Sequence, residues 1–156
     1  MSLPAWQIRL NQILQSWKGT PWGAGQCCRG KGVDCRYFVM GVLDELYGIT
    51  DPLPPRLSQD TSKNNRTLAI AAVTQISKRY PCTMNSGDEL EPGDVIIARS
   101  PDAAAETLQH ALIIGVGEPV PIWNASSGGV GYTSLSNWIV TASFKTLNKE
   151  TWASQQ

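Results

Sequence analysis

The first half of the chain carries apolar residues at helical spacing. From Ala5 to Trp17 they recur every three or four positions, and Gly19 follows where a helix stop is expected. The same spacing runs from Cys35 to Tyr47, again followed by a glycine, Gly48, and a third stripe lies within residues 66–80. The pattern predicts three amphipathic helices.

Beyond residue 82 the pattern becomes that of β-strands, with short runs of branched side chains between glycine and proline turns. The predicted strands are 95–99, 110–116, 120–124, 130–135 and 138–144. Helices first and strands second predict an α+β fold, in which N-terminal helices pack on a C-terminal antiparallel β-sheet of about five strands. Neither a repeat nor a linker divides the 156 residues, so we expect a single domain over residues 1–156.

A cysteine stands at the predicted start of the second helix. Asp34 suits the N-cap position, because a short carboxylate can accept hydrogen bonds from the free N–H groups of the first turn. Cys35 then takes the first helical position, where the helix dipole favours a thiolate and therefore a nucleophile. Without further context, a lone cysteine at a helix start is more often a small buried apolar residue.

A cysteine nucleophile needs a base, and His110 is the only histidine in the chain. It begins a predicted strand and shares one face of it with Leu112 and Ile114. Asn124 ends the next predicted strand, also on an apolar face, and its amide could orient the imidazole. We therefore expect Cys35, His110 and Asn124 to form a catalytic group. The alternatives are structural, with the histidine satisfied by its neighbours and the asparagine closing a turn.

The charge of the chain argues against several kinds of partner. Lys plus Arg and Asp plus Glu number 13 each, so there is no net field to attract nucleic acid or an anionic membrane. No apolar run reaches the ~18 residues of a membrane span, and the N-terminus lacks the apolar core of a signal peptide. We expect a protein made in the cytoplasm. Arg29, Lys31 and Arg36 near Cys35 form either a local basic lip or a plain solvated loop.

The four cysteines favour reduced thiols. Cys27 and Cys28 are adjacent, which suits a small disulfide framework poorly, and the paired spacing of a zinc site is missing from the sequence. We expect neither a metal nor a cofactor.

Six short motifs occur between Trp17 and Phe144. They are Trp17-Lys-Gly-Thr-Pro-Trp22, Val33-Asp-Cys-Arg-Tyr-Phe-Val39, Leu53-Pro-Pro-Arg56 with Gln59, Leu90-Glu-Pro-Gly-Asp94, His110-Ala-Leu-Ile-Ile-Gly115 and Trp123-Asn-Ala-Ser126. As an ordered set they resemble the NlpC family of papain-like cell-wall cysteine peptidases. The resemblance implies a papain-like fold and a Cys-His-polar triad that hydrolyses peptidoglycan stem peptides, at the bond between D-glutamate and a diamino acid.

The resemblance also suggests residues that contact the substrate: Trp22, Asp34, Arg36, Tyr37 and Arg56. The family usually has Ser-Gly after the Asp-Cys pair, where the aspartate and serine help hold the free amine of the stem peptide. Here Arg36 and Tyr37 stand instead, and a guanidinium disfavours a nearby ammonium group. Trp22 replaces a tyrosine that commonly lies near the oxyanion site, and its indole N–H can donate but cannot accept.

The reaction expected from this resemblance is acyl transfer through a thioester, with Cys35 and His110 as a thiolate–imidazolium pair. Two other functions stay open. One is a non-catalytic wall-binding or phage-tail structural module, and the other is a thiol acyltransferase or amidase acting on another substrate. The expected partner is a stem peptide or a similar small peptide. Since no export signal is visible in this sequence, we expect either that an export segment lies outside it or that a phage particle or a secretion system delivers the protein to the cell wall.

Overall fold

The computed structural model describes residues 2–55, 65–85, 87, 89–101 and 109–155, with the backbone alone for residues 65–71. Three α-helices come first, as predicted: α1 (Ala5–Trp17), α2 (Cys35–Tyr47) and α3 (Asn65–Arg79). Two short strands, β1 (Cys27–Cys28) and β2 (Gly32–Val33), form a hairpin between α1 and α2. Within the described part of the chain, no helix is long and apolar enough to cross a membrane.

Local chemistry sets both ends of α2. The Asp34 carboxylate caps the first turn, because its Oδ1 accepts a hydrogen bond from the Tyr37 backbone N–H at 2.8 Å. Gly48 ends the helix in the left-handed conformation, with φ of 70°, which glycine adopts with little strain. The sequence predicted both ends, and they fix where Cys35 lies.

Among the described residues, the second half of the chain forms a six-stranded antiparallel sheet rather than one of about five strands. The strands are β3 (Cys82–Met84), β4 (Val95–Arg99), β5 (His110–Ile114), β6 (Pro121–Ser126), β7 (Gly129–Ser134) and β8 (Ile139–Thr146). Their order across the sheet is β3-β8-β4-β5-β6-β7. The additional strand, β3, has three residues and pairs with β8, and so short a run carries no alternation that a sequence pattern could reveal.

The sheet is buried on both faces. Ala111 and Ile113 belong to a large apolar cluster with residues of α1 and α2, among them Phe38. A second cluster covers the other face and contains Ile96, Ala98, Leu112, Ile114 and Ile122, with Leu90 and Trp138 packed against it. Because side chains alternate along a strand, Ala111 lies on the helix side of the sheet and His110 on the other side.

A buried ionic network joins the start of β4 to the end of β8. The side chain of Asp94 is fully buried and accepts hydrogen bonds from Lys145 Nζ at 2.9 Å and from Lys149 Nζ at 2.7 Å. Lys149 also donates to Glu91 Oε1 at 2.6 Å. A buried carboxylate needs such partners, because an unpaired charge in the interior is strongly destabilising.

Candidate active site

The cap of α2 brings Cys35 to the first residues of β5. Burial raises the pKa of the Cys35 thiol, and the backbone N–H groups of Ala111 and Arg36, which face the sulfur, act against this effect. Ala111 follows the chain's only histidine directly. The structure therefore brings the cysteine to the peptide next to His110.

The imidazole of His110 lies on the other side of the strand, in a half-buried site. Its ring packs against the Trp138 ring, with 5.5 Å between the centroids and 64° between the planes. Its Nδ1 is buried without a hydrogen-bond partner among the residues that the structure describes. Neither Cys35 nor Asn124 is therefore bonded to His110 through this nitrogen.

Asn124 lies on the same sheet face as His110. It is buried, at 4% exposure, and its cross-strand partner on β7 is Gly131. The register between β5 and β6 pairs Ile113 with Trp123, and the same register continued along the strands puts Asn124 diagonally opposite His110. Diagonal neighbours of this kind are about 7–8 Å apart, within reach of long side chains.

Burial controls the protonation of both candidate catalytic groups. It raises the pKa of the Cys35 thiol, although the two backbone N–H groups and the Arg36 charge act in the opposite direction. Burial also lowers the pKa of His110. Both effects favour a neutral thiol and a neutral imidazole, which differs from the ion pair expected from the helix dipole alone. Although Cys35 is only partly buried as a residue, desolvation of its thiol is the largest effect on its pKa.

The loop before α2 is held by the same aspartate that caps the helix. Asp34 Oδ2 accepts a hydrogen bond from the Gly25 backbone N–H at 2.8 Å, so each carboxylate oxygen has a backbone partner. Trp22 lies in this loop with 48% of its surface exposed, and its backbone bridges to Val33. Both residues therefore stand near the start of α2, as the resemblance implies.

Arg36 and Tyr37 are directed into the body of the protein. Arg36 is 9% exposed, donates from Nη1 to Gln75 Oε1 at 2.6 Å and lies over the Tyr37 ring. Tyr37 is 5% exposed, and its hydroxyl donates to the Pro54 carbonyl at 2.7 Å. Both side chains tie α2 to neighbouring segments, and their contact with a substrate stays a prediction. Arg56, like Gln59, lies outside the described residues.

The remaining cysteines are free thiols, as is Cys35. Cys27 donates from Sγ to the Tyr37 carbonyl at 3.4 Å, and burial raises the pKa of its thiol to about 11. Cys28 is exposed on the other side of the β1 strand. Within the described part of the chain, no cluster of three or more His, Cys, Asp or Glu side chains is suited to a metal ion.

Sequence reasoning missed Trp138 and Ala111. Trp138 follows His110 by many residues and meets it only through packing, and Ala111 takes part through a backbone N–H that any residue would carry. The only signal in the sequence was the position of Ala111 beside the histidine.

Fold and site together define a papain-like α+β protein, in which a helix beginning at a capped cysteine packs on an antiparallel sheet. The chain is 32% identical over 130 residues to the Probable endopeptidase NlpC of Escherichia coli (strain K12), a match that covers 82% of this chain and 68% of that protein. The chain belongs to the NlpC/p60 family.

Structural comparison agrees with this assignment. The crystal structure of the NlpC/p60 domain of the peptidoglycan hydrolase SagA matches with a TM-score of 0.55 at 15% sequence identity. The match covers 90% of this chain and 98% of that domain, which shows a shared fold. No family profile matches the chain.

Proposed function

We propose that the protein is a cysteine peptidase that hydrolyses the stem peptides of peptidoglycan. One observation carries the proposal: Cys35 opens a capped helix and faces the peptide beside the only histidine of the chain. Membership in the NlpC/p60 family supports it, since SagA is named a peptidoglycan hydrolase and the Escherichia coli relative a probable endopeptidase. The bond expected from the sequence motifs is the one between D-glutamate and a diamino acid.

The mechanism starts from neutral groups. His110, with its side chain turned from Trp138 toward the thiol, accepts the thiol proton of Cys35 as the sulfur attacks the amide carbonyl, so general-base catalysis replaces a resting ion pair. The Cys35 backbone N–H, with the indole N–H of Trp22, stabilises the oxyanion. His110 then gives its proton to the leaving amine as the C–N bond breaks. Water hydrolyses the thioester to a carboxylic acid and restores the thiol.

Asn124 has the orienting role in this proposal. Its side chain lies on the same sheet face as His110, and a rotation of either side chain would allow it to hold the imidazole in one tautomer. Asp34 is the candidate for the substrate amine, because a carboxylate with two backbone partners can still accept further hydrogen bonds.

The experiment that tests the proposal is digestion of purified peptidoglycan and of free stem peptides, with the products identified by mass spectrometry. Cys35→Ala should abolish cleavage at the D-glutamyl bond, by at least about 10³-fold. Cys28→Ala is the matched control, because it removes an exposed thiol from the same region and should retain activity. Cleavage that persists in Cys35→Ala would contradict the proposal.

The role of His110 as the base can be tested by comparing single variants with the double variant. When several catalytic groups act as one unit, removing one of them costs about as much activity as removing all of them. We therefore expect His110→Ala and the double variant with Cys35→Ala to be about as inactive as Cys35→Ala alone. A double variant that is far less active than either single variant would show that the two residues act independently.

One observation favours a second function, that of a non-catalytic wall-binding module. Burial keeps both candidate catalytic groups neutral, and His110 Nδ1 lacks a partner among the described residues. This function predicts that the unaltered protein and Cys35→Ala bind peptidoglycan equally and that neither cuts any wall fragment. Delivery to the cell wall by a phage particle or a secretion system is part of the same proposal.

A further inference from the structure

A cleft of about 280 Å³ lies between α1 and the turn that joins β5 to β6. We call it the α1–β6 cleft. Asn11 and Gln15, one helical turn apart on α1, line one side, and Glu118 lines the turn opposite. This volume lies just below the usual range of ligand sites, about 300–1,000 Å³, so the cleft suits a small ligand of about one sugar ring.

The cleft is separate from the candidate catalytic group. Ala111, beside Cys35, and Val116, at the edge of the cleft, are five residues apart in sequence. At the rise of an extended strand this spacing corresponds to about 17 Å. Neither His110 nor Asn124 lines the cleft.

Its polar groups favour a neutral ligand that is rich in hydroxyl groups. The amides of Asn11 and Gln15 each offer donors and an acceptor, and the Glu118 carboxylate accepts hydrogen bonds. Among the described residues that line the cleft there is neither Lys nor Arg, which disfavours a phosphate or another anion. One carboxylate is too few for a calcium site, which takes six to eight oxygen ligands.

Its apolar groups suit an acetyl substituent and the C–H face of a sugar ring. Pro119 and Pro121 line the turn side, and the rings of Trp123 and Tyr132 meet with 5.0 Å between their centroids. The Trp123 Nε1 is buried without a hydrogen-bond partner among the described residues. Because that nitrogen has almost no exposed surface, a ligand in the cleft would meet the apolar surface of Pro119, Pro121 and Tyr132 rather than this donor.

We infer that the α1–β6 cleft binds one N-acetylated amino sugar of a glycan chain. The choice of a cell-wall glycan rests on the proposed function, whereas the fit to the acetamido group and the hydroxyl groups rests on the cleft itself.

The test uses the ¹⁵N-labelled Cys35→Ala protein, so that binding is measured without cleavage. N-acetylglucosamine is titrated to millimolar concentrations, and the indole cross-peak of Trp123 is followed by NMR. We expect a saturable shift with N-acetylglucosamine and a dissociation constant at least about tenfold weaker for glucosamine and for glucose. The same response to all three sugars, or none to any, would overturn the inference.

Two variants on one helix locate the site. Gln15→Ala should weaken binding of N-acetylglucosamine by about tenfold. Gln12→Ala is the matched control, since Gln12 is an exposed glutamine on α1 that does not line the cleft, and it should bind as the parent does. Equal binding by both variants would place the sugar elsewhere and overturn the inference. Sugar binding without any peptide cleavage would contradict the proposed function and leave the cleft assignment standing. Peptide cleavage without sugar binding would contradict the cleft assignment and leave the proposed function standing.

Discussion

Trp138 packs against His110 with 64° between the two ring planes, and this contact covers the imidazole on the sheet face away from the helices. The indole is itself fixed, because its Nε1 donates to Thr133 Oγ1 at 2.8 Å and its backbone N–H donates to the Leu135 carbonyl at 3.1 Å. Since burial lowers the pKa of His110, the side chain that excludes water from it controls its basicity.

Trp138→Ala should raise the pKa of His110 toward about 6.5, the value of an unperturbed imidazole. The measurement is a histidine NMR titration, which is simple to interpret because the chain has one histidine. Trp22→Ala is the control, since it removes an exposed tryptophan away from this contact and should leave the titration unchanged. An unchanged pKa in Trp138→Ala would mean that other groups keep water from the imidazole.

The raised pKa of Cys35 predicts that the thiol reacts with alkylating agents only at alkaline pH, whereas a resting ion pair would react at mildly acidic pH. We expect iodoacetamide to label Cys35 of the folded protein only above about pH 8.5, the ordinary pKa of a thiol. The protonated thiol favours the folded state, so this contribution to stability is complete below about pH 8.5 and is lost as the pH rises through the higher folded-state pKa. Labelling followed by peptide mass spectrometry checks the first expectation, with the urea-unfolded chain as reference. Efficient labelling of the folded protein at mildly acidic pH would instead indicate an ion pair.

The buried network predicts a large effect of one carboxylate and a small effect of another. Asp94→Asn leaves the buried Lys149 with the half-exposed Glu91 as its only carboxylate partner among the described residues and should lower the free energy of unfolding by about 3–5 kcal/mol. Glu91→Gln removes a half-exposed partner of the same lysine and should cost about 0–1 kcal/mol. Urea denaturation of the two variants measures the difference, and equal effects would contradict the assigned role of Asp94.

Asp34 joins the helix start to the preceding loop, so its removal should affect both. Asp34→Ala loses the cap and the bond from Gly25, and we expect a loss of about 1–2 kcal/mol in the free energy of unfolding. Asp34→Ser, which can still cap the helix, should recover part of this loss. Chemical denaturation tests the order of the variants. A stability for Asp34→Ala equal to that of the parent would show that the cap has no net effect.

The parts of the fold that the sequence predicted depend on neighbours in the chain. The bounds of α2 follow from the cap at Asp34 and the glycine at Gly48, and the shared face of His110 and Leu112 follows from strand alternation. The parts that it could not predict depend on distant segments. Strand β3 exists because it pairs with β8, and Arg36 is buried because Gln75 on α3 accepts its hydrogen bond. The protonation of Cys35 belongs to the second group, because burial is a property of the packed structure.

The order of the sheet has a consequence for the timing of folding. Strand β8 lies between β3 and β4, although both are synthesised before it. Strands β4 to β7 are neighbours both in the sequence and in the sheet, so they can pair as they are synthesised, whereas β3 can join the sheet only after β8 has paired with β4. Contacts between such distant segments are slow to form, so the edge made by β3 and β8 would complete the sheet last, after the surface opposite the Cys35 thiol has assembled.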